Sequence, residues 1–207
     1  MLPVTEISTT LVGEGLHIGE PCTLIRLSGC NLKCEWCDTP LRDEAGEPYE
    51  IDRLVSVAGS VGKPWALVTG GEPLMRRDTP ELLRKLLKRG LKPILETNGT
   101  FPLSDVPDGV VKSVDIKTPS SGFAGCFRDS NVVFMNSGDC VKFVVADRED
   151  FEWSIKEIRR LNLLARTGVF FSPVHGRMDP GKLARMVLEC GLPVALTLQI
   201  HKFLDLP

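Results

Sequence analysis

A strand-like run, a glycine-rich break and a proline-started helix recur along this chain, and that recurrence limits its possible folds more than any other feature. Trp65-Ala-Leu-Val-Thr69 reads as a strand buried on both faces, and Gly70-Gly71-Glu72-Pro73 breaks it. Thr79 is then placed to cap a helix that has Pro80 at its first position; Leu82, Leu83, Leu86 and Leu87 form its apolar stripe, and Gly90 ends it. Pro93-Ile-Leu-Glu96 returns as a strand and stops at Thr97-Asn98-Gly99. Asp179-Pro180, then Leu183, Met186, Val187 and Cys190, then 191–196 repeat the pattern later in the chain.

Further strands are expected at 22–27, 110–115, 141–145, 168–171 and 193–198. Helical spacing also places Leu54, Val55, Ala58 and Val61 on one helix before Gly62, and Phe151, Ile155 and Ile158 on another. Residues 5–15 end in the glycine-flanked acidic turn Gly13-Glu14-Gly15, and 42–48 read as polar and turn-rich. Strands alternating with helices imply a parallel sheet with right-handed crossovers. Six or seven such strands are too few for a closed eight-stranded barrel. The expected fold is therefore α/β, an open, partial TIM-type barrel with outer helices, in one domain spanning 1–207.

Composition narrows the function classes. At 207 residues, with 43% apolar and 25% charged residues, neither disorder nor a membrane span is indicated. Glu6 and Glu14 near the start argue against a signal peptide, which points to the cytoplasm. A net charge of −2 leaves no footprint for nucleic acid, and the basic run from Arg76 to Lys92 falls mainly on the polar face of a helix. Seven cysteines, three of them clustered, speak for a reducing compartment over a disulfide framework. Cys22, Cys126, Cys140 and Cys190 are scattered singly and read as small hydrophobes.

The clustered three lie in Cys30-Asn-Leu-Lys-Cys34-Glu-Trp-Cys37-Asp38-Thr39, directly after a strand. A four-iron cluster takes one thiolate per iron, so three cysteines leave one iron open to another ligand. A structural zinc site normally takes four protein ligands, and the nearest further cysteine, Cys22, belongs to the strand. A zinc knuckle with a remote fourth ligand remains the alternative. In parallel sheets ligands sit beyond the carboxyl ends of the strands. This brings the cysteine loop, 70–73, 96–99, 115–117 and 172–175 to one rim.

The cysteine motif resembles the signature of the radical S-adenosylmethionine (SAM) superfamily. There SAM chelates the open iron and is split to a 5′-deoxyadenosyl radical. Nearly end to end the chain is similar to the 7-carboxy-7-deazaguanine synthase family, through Leu11-Val12-Gly13-Glu14-Gly15, Arg26, the cysteine loop (28–40), Thr69-Gly-Gly-Glu72-Pro, Glu96-Thr-Asn-Gly99, Lys117 and the tail Gln199-Ile-His201-Lys202-Phe-Leu-Asp-Leu-Pro207.

The resemblance implies conversion of 6-carboxy-5,6,7,8-tetrahydropterin to 7-carboxy-7-deazaguanine in queuosine-type biosynthesis. It implies a 4Fe-4S cluster on Cys30, Cys34 and Cys37, SAM, and Mg2+ at Thr39. Trp36, Cys37, Asp38, Gly71, Asp115, Ile116, Lys117, Ser172, Pro173, Val174 and His175 would contact SAM. Leu11, Val12, Gly13, Arg26, Thr69 and Pro207 would line the pterin, with the tail 199–207 closing over it; Glu14, Glu96 and His201 are acid–base candidates. The implied partners are the small-molecule pterin, a reductant such as flavodoxin or ferredoxin, and a second copy of the chain.

Relatives commonly have glutamine at Val12, so only backbone contact can remain there, and the usual Ser-Pro-Lys is Asp115-Ile116-Lys117 here. Arg26 could instead be a rim ion pair and His175 an ordinary loop residue. Glu72 and Glu96 could hold loop backbone or the SAM amino group. A glycyl-radical activase of the same superfamily is the nearest rival enzyme, and a non-catalytic zinc protein is the rival of another class.

Overall fold

The structure, a computed structural model, describes residues 1–37 and 45–207. Among these, nine strands join one sheet: β1 Leu2–Leu11, β2 Pro21–Leu27, β3 Glu47–Tyr49, β4 Trp65–Gly70, β5 Lys92–Thr97, β6 Val111–Asp115, β7 Cys140–Val145, β8 Gly168–Pro173 and β9 Ala195–Leu196. Their order is β3-β1-β2-β4-β5-β6-β7-β8-β9. From β2 through β9 every neighbouring pair is parallel. The edge strands β3 and β9 are not neighbours, so the sheet is the open, partial barrel expected.

Helices α1 Ile51–Ser60, α2 Thr79–Lys88, α3 Arg148–Arg160 and α4 Pro180–Glu189 follow strands, and α5 Ile200–Leu204 lies in the tail. No helix among the described residues is long and apolar enough to cross a membrane.

Two strands depart from the sequence reading. β1 runs antiparallel to β2, and β3, at the end of the supposed turn-rich stretch, pairs antiparallel with β1 through Leu2 and Tyr49. Beyond Val4, β1 carries Thr, Glu and Ser with little apolar alternation; its backbone pairing makes it a strand and covers the free edge of β2. At α2, Thr79 is not the cap. Asp78 holds that position, and the buried Thr79 hydroxyl donates to the Pro73 carbonyl at 2.6 Å, which ties the helix to the loop after β4.

Side-chain alternation sorts each strand into two faces. Ile25, Leu27, Ala66, Val68 and Leu95 turn outward onto Leu54, Val55 and Ala58 of α1 and Leu82, Leu83 and Leu86 of α2. Each fully buried leucine there contributes about 1.5–3 kcal/mol. Val141, Phe143, Val145, Val169 and Phe171 make the corresponding layer with Phe151 and Ile158 of α3 and Leu183 and Met186 of α4. The inward face is apolar only at its lower end, where Val12, Cys22, Leu24, Trp65, Leu67 and Ile94 fill the barrel. Two residues further along the same strands, the inward positions become Arg26, Thr69 and Glu96, joined by Asp115 at the end of β6 and by its register partner Lys142 in the middle of β7.

Candidate active site

Those strand ends open into a cavity of about 610 Å³. Cys30, Cys34, Trp36 and Cys37 enter from the cysteine loop, and Leu11, Gly13 and Glu14 from the β1–β2 hairpin. Arg26, Thr69, Gly71, Glu96, Asp115 and Lys117 come from the strand ends, Val174 and His175 from the loop after β8, and His201 and Pro207 from the tail.

Several expected residues stand elsewhere. Val12 is buried in the lower core, and its backbone is spent within the hairpin: its N–H donates to the Glu20 carbonyl and its own carbonyl accepts from Gly19. Ile116 packs into the outer core, and its N–H donates to the Lys142 carbonyl. Ser172 is fully buried outside the wall, and Pro173 faces a neighbouring hollow lined by Met178, Pro180 and Phe203. Asp38 and Thr39 lie outside the described residues.

The cysteine loop is fixed from several sides. Trp36 donates its indole N–H to Ser120 Oγ at 3.0 Å, and Lys117 lies over the same ring at 5.4 Å. Asp150 near the start of α3 holds Ser120 through both its N–H and its hydroxyl. Gly71 lets the end of β4 press on the loop, since a β-carbon there would stand 2.0 Å from the Gly29 carbonyl oxygen. Its glycine thus serves backbone packing. Glu72 is fully buried and away from the cavity, accepting from Leu74 N–H, Thr97 Oγ1 and Asn98 N–H; of the readings open to it, the structure selects the loop-holding one. Burial pushes its pKa up, opposed by those donors.

All seven cysteines are free. Burial raises the Cys30 and Cys34 thiols. It pushes Cys22 up to about 12, and that thiol packs in the lower core and does not line the cavity. Among the described residues no three His, Cys, Asp or Glu side chains close around a single point as one metal ion would require. The three thiols all line the cavity. Three thiols, with no fourth cysteine among the lining residues, are the donor set of a cluster that takes one thiolate per iron and leaves one iron open, where a structural zinc site takes four protein ligands. Metal binding would deprotonate the thiols.

The strand-borne part of the cavity is charged. Arg26 donates through Nε to Glu6 Oε2 at 2.9 Å on β1, so it is an ion pair and a cavity residue at once. Thr69 donates to Glu96 Oε2 at 2.8 Å. Asp115 pairs with Lys117 at 3.1 Å; burial acts to raise its pKa, but the charges of Lys117 and Lys142 hold it below the usual carboxylate range. Burial pushes Glu14 up, against the pull of Lys142. Glu14 Oε2 and Asp115 Oδ1 are buried without a hydrogen-bond donor, two acceptors open to a ligand's N–H groups or to a neighbouring ammonium.

Lys142 and Arg177 also line the cavity and were not singled out from the sequence. For Lys142 a signal existed: it occupies the same inward register as Asp115 on the neighbouring strand.

The Radical SAM superfamily model matches residues 24–117. Along its whole length the chain is 38% identical to the 7-carboxy-7-deazaguanine synthase of Methanospirillum hungatei, covering 86% of that protein. It is likewise 38% identical over its whole length to the enzyme of that name from Koribacter versatilis, of which it covers 98%. In fold it is similar to the crystal structure of QueE from Escherichia coli (TM-score 0.77, 22% identity, 96% of this chain and 93% of that one). It also resembles Streptococcus suis SuiB bound to S-adenosylmethionine (TM-score 0.60, 15% identity, 82% of this chain and 45% of that one). Three thiols and a charged wall on one cavity, in a chain matched from end to end by these relatives, lead to one conclusion: the chain belongs to the 7-carboxy-7-deazaguanine synthase family of the radical SAM superfamily.

Proposed function

We propose that this chain converts 6-carboxy-5,6,7,8-tetrahydropterin to 7-carboxy-7-deazaguanine with loss of ammonia, as a carbon–nitrogen lyase. The reading is supported above all by one observation: the cysteine loop, the charged strand ends and the tail all face a single cavity of about 610 Å³. That is the size range of small-molecule sites, and it favours the pterin over the protein loop that an activase must admit. Bound there, the 4Fe-4S cluster and SAM supply the radical chemistry that removes hydrogen from carbon 6 of the pterin.

The chain's own residues bind and orient. Arg26, a planar guanidinium only partly neutralised by Glu6, suits the pterin carboxylate. Glu14 offers a buried carboxylate oxygen to the N–H groups of the aminopyrimidinone ring. Lys117, carried over Trp36, sets a fixed positive charge beside the thiols and the SAM carboxylate. The tail is tied to the hairpin by Ile200 N–H on the Gly13 carbonyl at 3.0 Å and to β1 by Thr10 Oγ1 on the Pro207 carbonyl at 3.1 Å, which supports a role for it in screening the bound pterin from water. Mg2+ enters this reading through the family resemblance, with Thr39 as its ligand. Flavodoxin or ferredoxin is the proposed electron donor, a pair of chains in the cytoplasm the proposed working unit, and queuosine-type biosynthesis the proposed pathway.

Anaerobic incubation of reconstituted, reduced protein with SAM, Mg2+ and the carboxytetrahydropterin tests the reaction by mass spectrometry. 5′-Deoxyadenosine and 7-carboxy-7-deazaguanine should appear together. 5′-Deoxyadenosine without consumption of the pterin would show that the substrate is a different one.

A further inference from the structure

Lys142 projects from β7 into the cavity with 2% of its side chain exposed. Three carboxylates from three other elements surround its ammonium. It bonds Glu14 of the hairpin directly, while Glu96 Oε1 on β5 stands 3.7 Å away and Asp115 Oδ1 on β6 stands 3.8 Å away. The last two distances are ion pairs beyond hydrogen-bond reach. One ammonium among three acids leaves surplus negative charge, and the unsatisfied Glu14 Oε2 and Asp115 Oδ1 belong to this group.

From Lys142 two legs diverge. Through Asp115 the contacts continue to Lys117 and then to Trp36 on the cysteine loop. Through Glu96 they continue to Thr69, and through Glu14 to the hairpin beneath the tail. From its place in the structure the ammonium hydrogen-bonds Glu14 alone of the three carboxylates. We propose that Lys142 is a positioning residue that couples the two halves of the cavity. A ligand whose N–H groups satisfy Glu14 and Glu96 releases the ammonium to close on Asp115, and this firms the leg leading to Trp36. The inference rests on the proposed function for the identity of the ligands, and it deepens that reading: the pterin and SAM bind cooperatively because they share one counter-ion.

The test is SAM affinity of anaerobically reconstituted, unreduced protein, measured by equilibrium dialysis with and without saturating carboxytetrahydropterin; no reductant means no turnover. Wild type should bind SAM at least about fivefold more tightly with the pterin present, the low end of the usual range for coupled sites. In Lys142→Met the ratio should collapse to within about twofold of unity. A merely structural lysine would weaken both affinities and leave their ratio intact. Should Lys142→Met fail to fold, Asp115→Asn breaks the same connection from the other side and should lose the coupling too. Uncoupled binding in wild type, or coupling preserved in either variant, overturns the inference and leaves the proposed reaction standing. Wild type that binds no carboxytetrahydropterin overturns the proposed reaction, and the inference with it.

Discussion

The imidazole of His201 lies against the backbone of Gly13 so closely that a β-carbon built at Gly13 would stand 2.2 Å from its Nδ1. The tail therefore registers on the hairpin at a point where both face the cavity. Gly13→Ala should push the ring and the tail aside and lower kcat/KM by roughly 10²-fold, the cost of an ångström-scale misplacement. In a His201→Ala background the same change should cost far less, so a double-mutant cycle on kcat/KM checks the contact. Additive effects would mean that the two residues act separately.

Arg26 predicts selectivity for the carboxylated pterin. Arg26→Met removes charge-assisted hydrogen bonds of about 1.5–3 kcal/mol, so binding of carboxytetrahydropterin should weaken by roughly 10- to 150-fold. Tetrahydropterin without the carboxylate should bind both proteins alike. An equal loss for both ligands would reduce Arg26 to the partner of Glu6.

Asp150 predicts a stability effect that reaches the cysteine loop. It is buried and accepts from Ser120 N–H at 2.9 Å, Ser120 Oγ at 2.5 Å and Ala146 N–H at 2.9 Å. Asp150→Ala strands several donors at about 1–3 kcal/mol each and should lower unfolding free energy by roughly 3 kcal/mol or more. Ser120→Ala removes the Trp36 indole's acceptor and should cost about 1 kcal/mol. Both should retain less iron after reconstitution. Urea melts and iron assays check this; wild-type values for Asp150→Ala would refute the anchoring role.

Glu72 predicts a pH dependence with a definite sign. Burial raises its folded pKa above the ordinary 4.5, against the pull of its hydrogen-bond donors, so the folded state holds its proton more tightly than the unfolded chain does. Its contribution to stability is full below 4.5 and declines as pH rises through the folded value. Glu72→Gln should be less stable than wild type because the Asn98 N–H loses its acceptor, and the gap should narrow with rising pH. Urea unfolding at a series of pH values measures it; a widening gap would reverse the assignment.

Much of this arrangement was legible in the chain before folding. Strands such as Trp65–Gly70 announce themselves because both faces are buried and a glycine pair ends them, and the leucines of α2 repeat at helical spacing. The cysteine spacing marks its own chemistry. β1 was not legible, since neighbours, not apolar alternation, hold Thr5 to Thr10 in a strand. Lys142 escaped notice for a related reason. Between Val141 and Phe143 it looks like a polar interruption in a doubly buried strand, and its direct partner Glu14 lies 128 residues away. Counting alternate residues from Asp115 across the sheet register would have pointed it inward. Val12 shows the reverse error, a motif position whose side chain the hairpin turns into the core.

The central proposal is that Cys30, Cys34 and Cys37 would hold a 4Fe-4S cluster and leave one iron for SAM. Electron–nuclear double resonance on the reduced protein with isotopically labelled SAM probes that corner directly. The account predicts about four irons per chain and magnetic coupling from the cluster to the amino nitrogen and carboxylate oxygen of SAM. A colourless protein holding one zinc, or a cluster with no coupling to SAM, would contradict it.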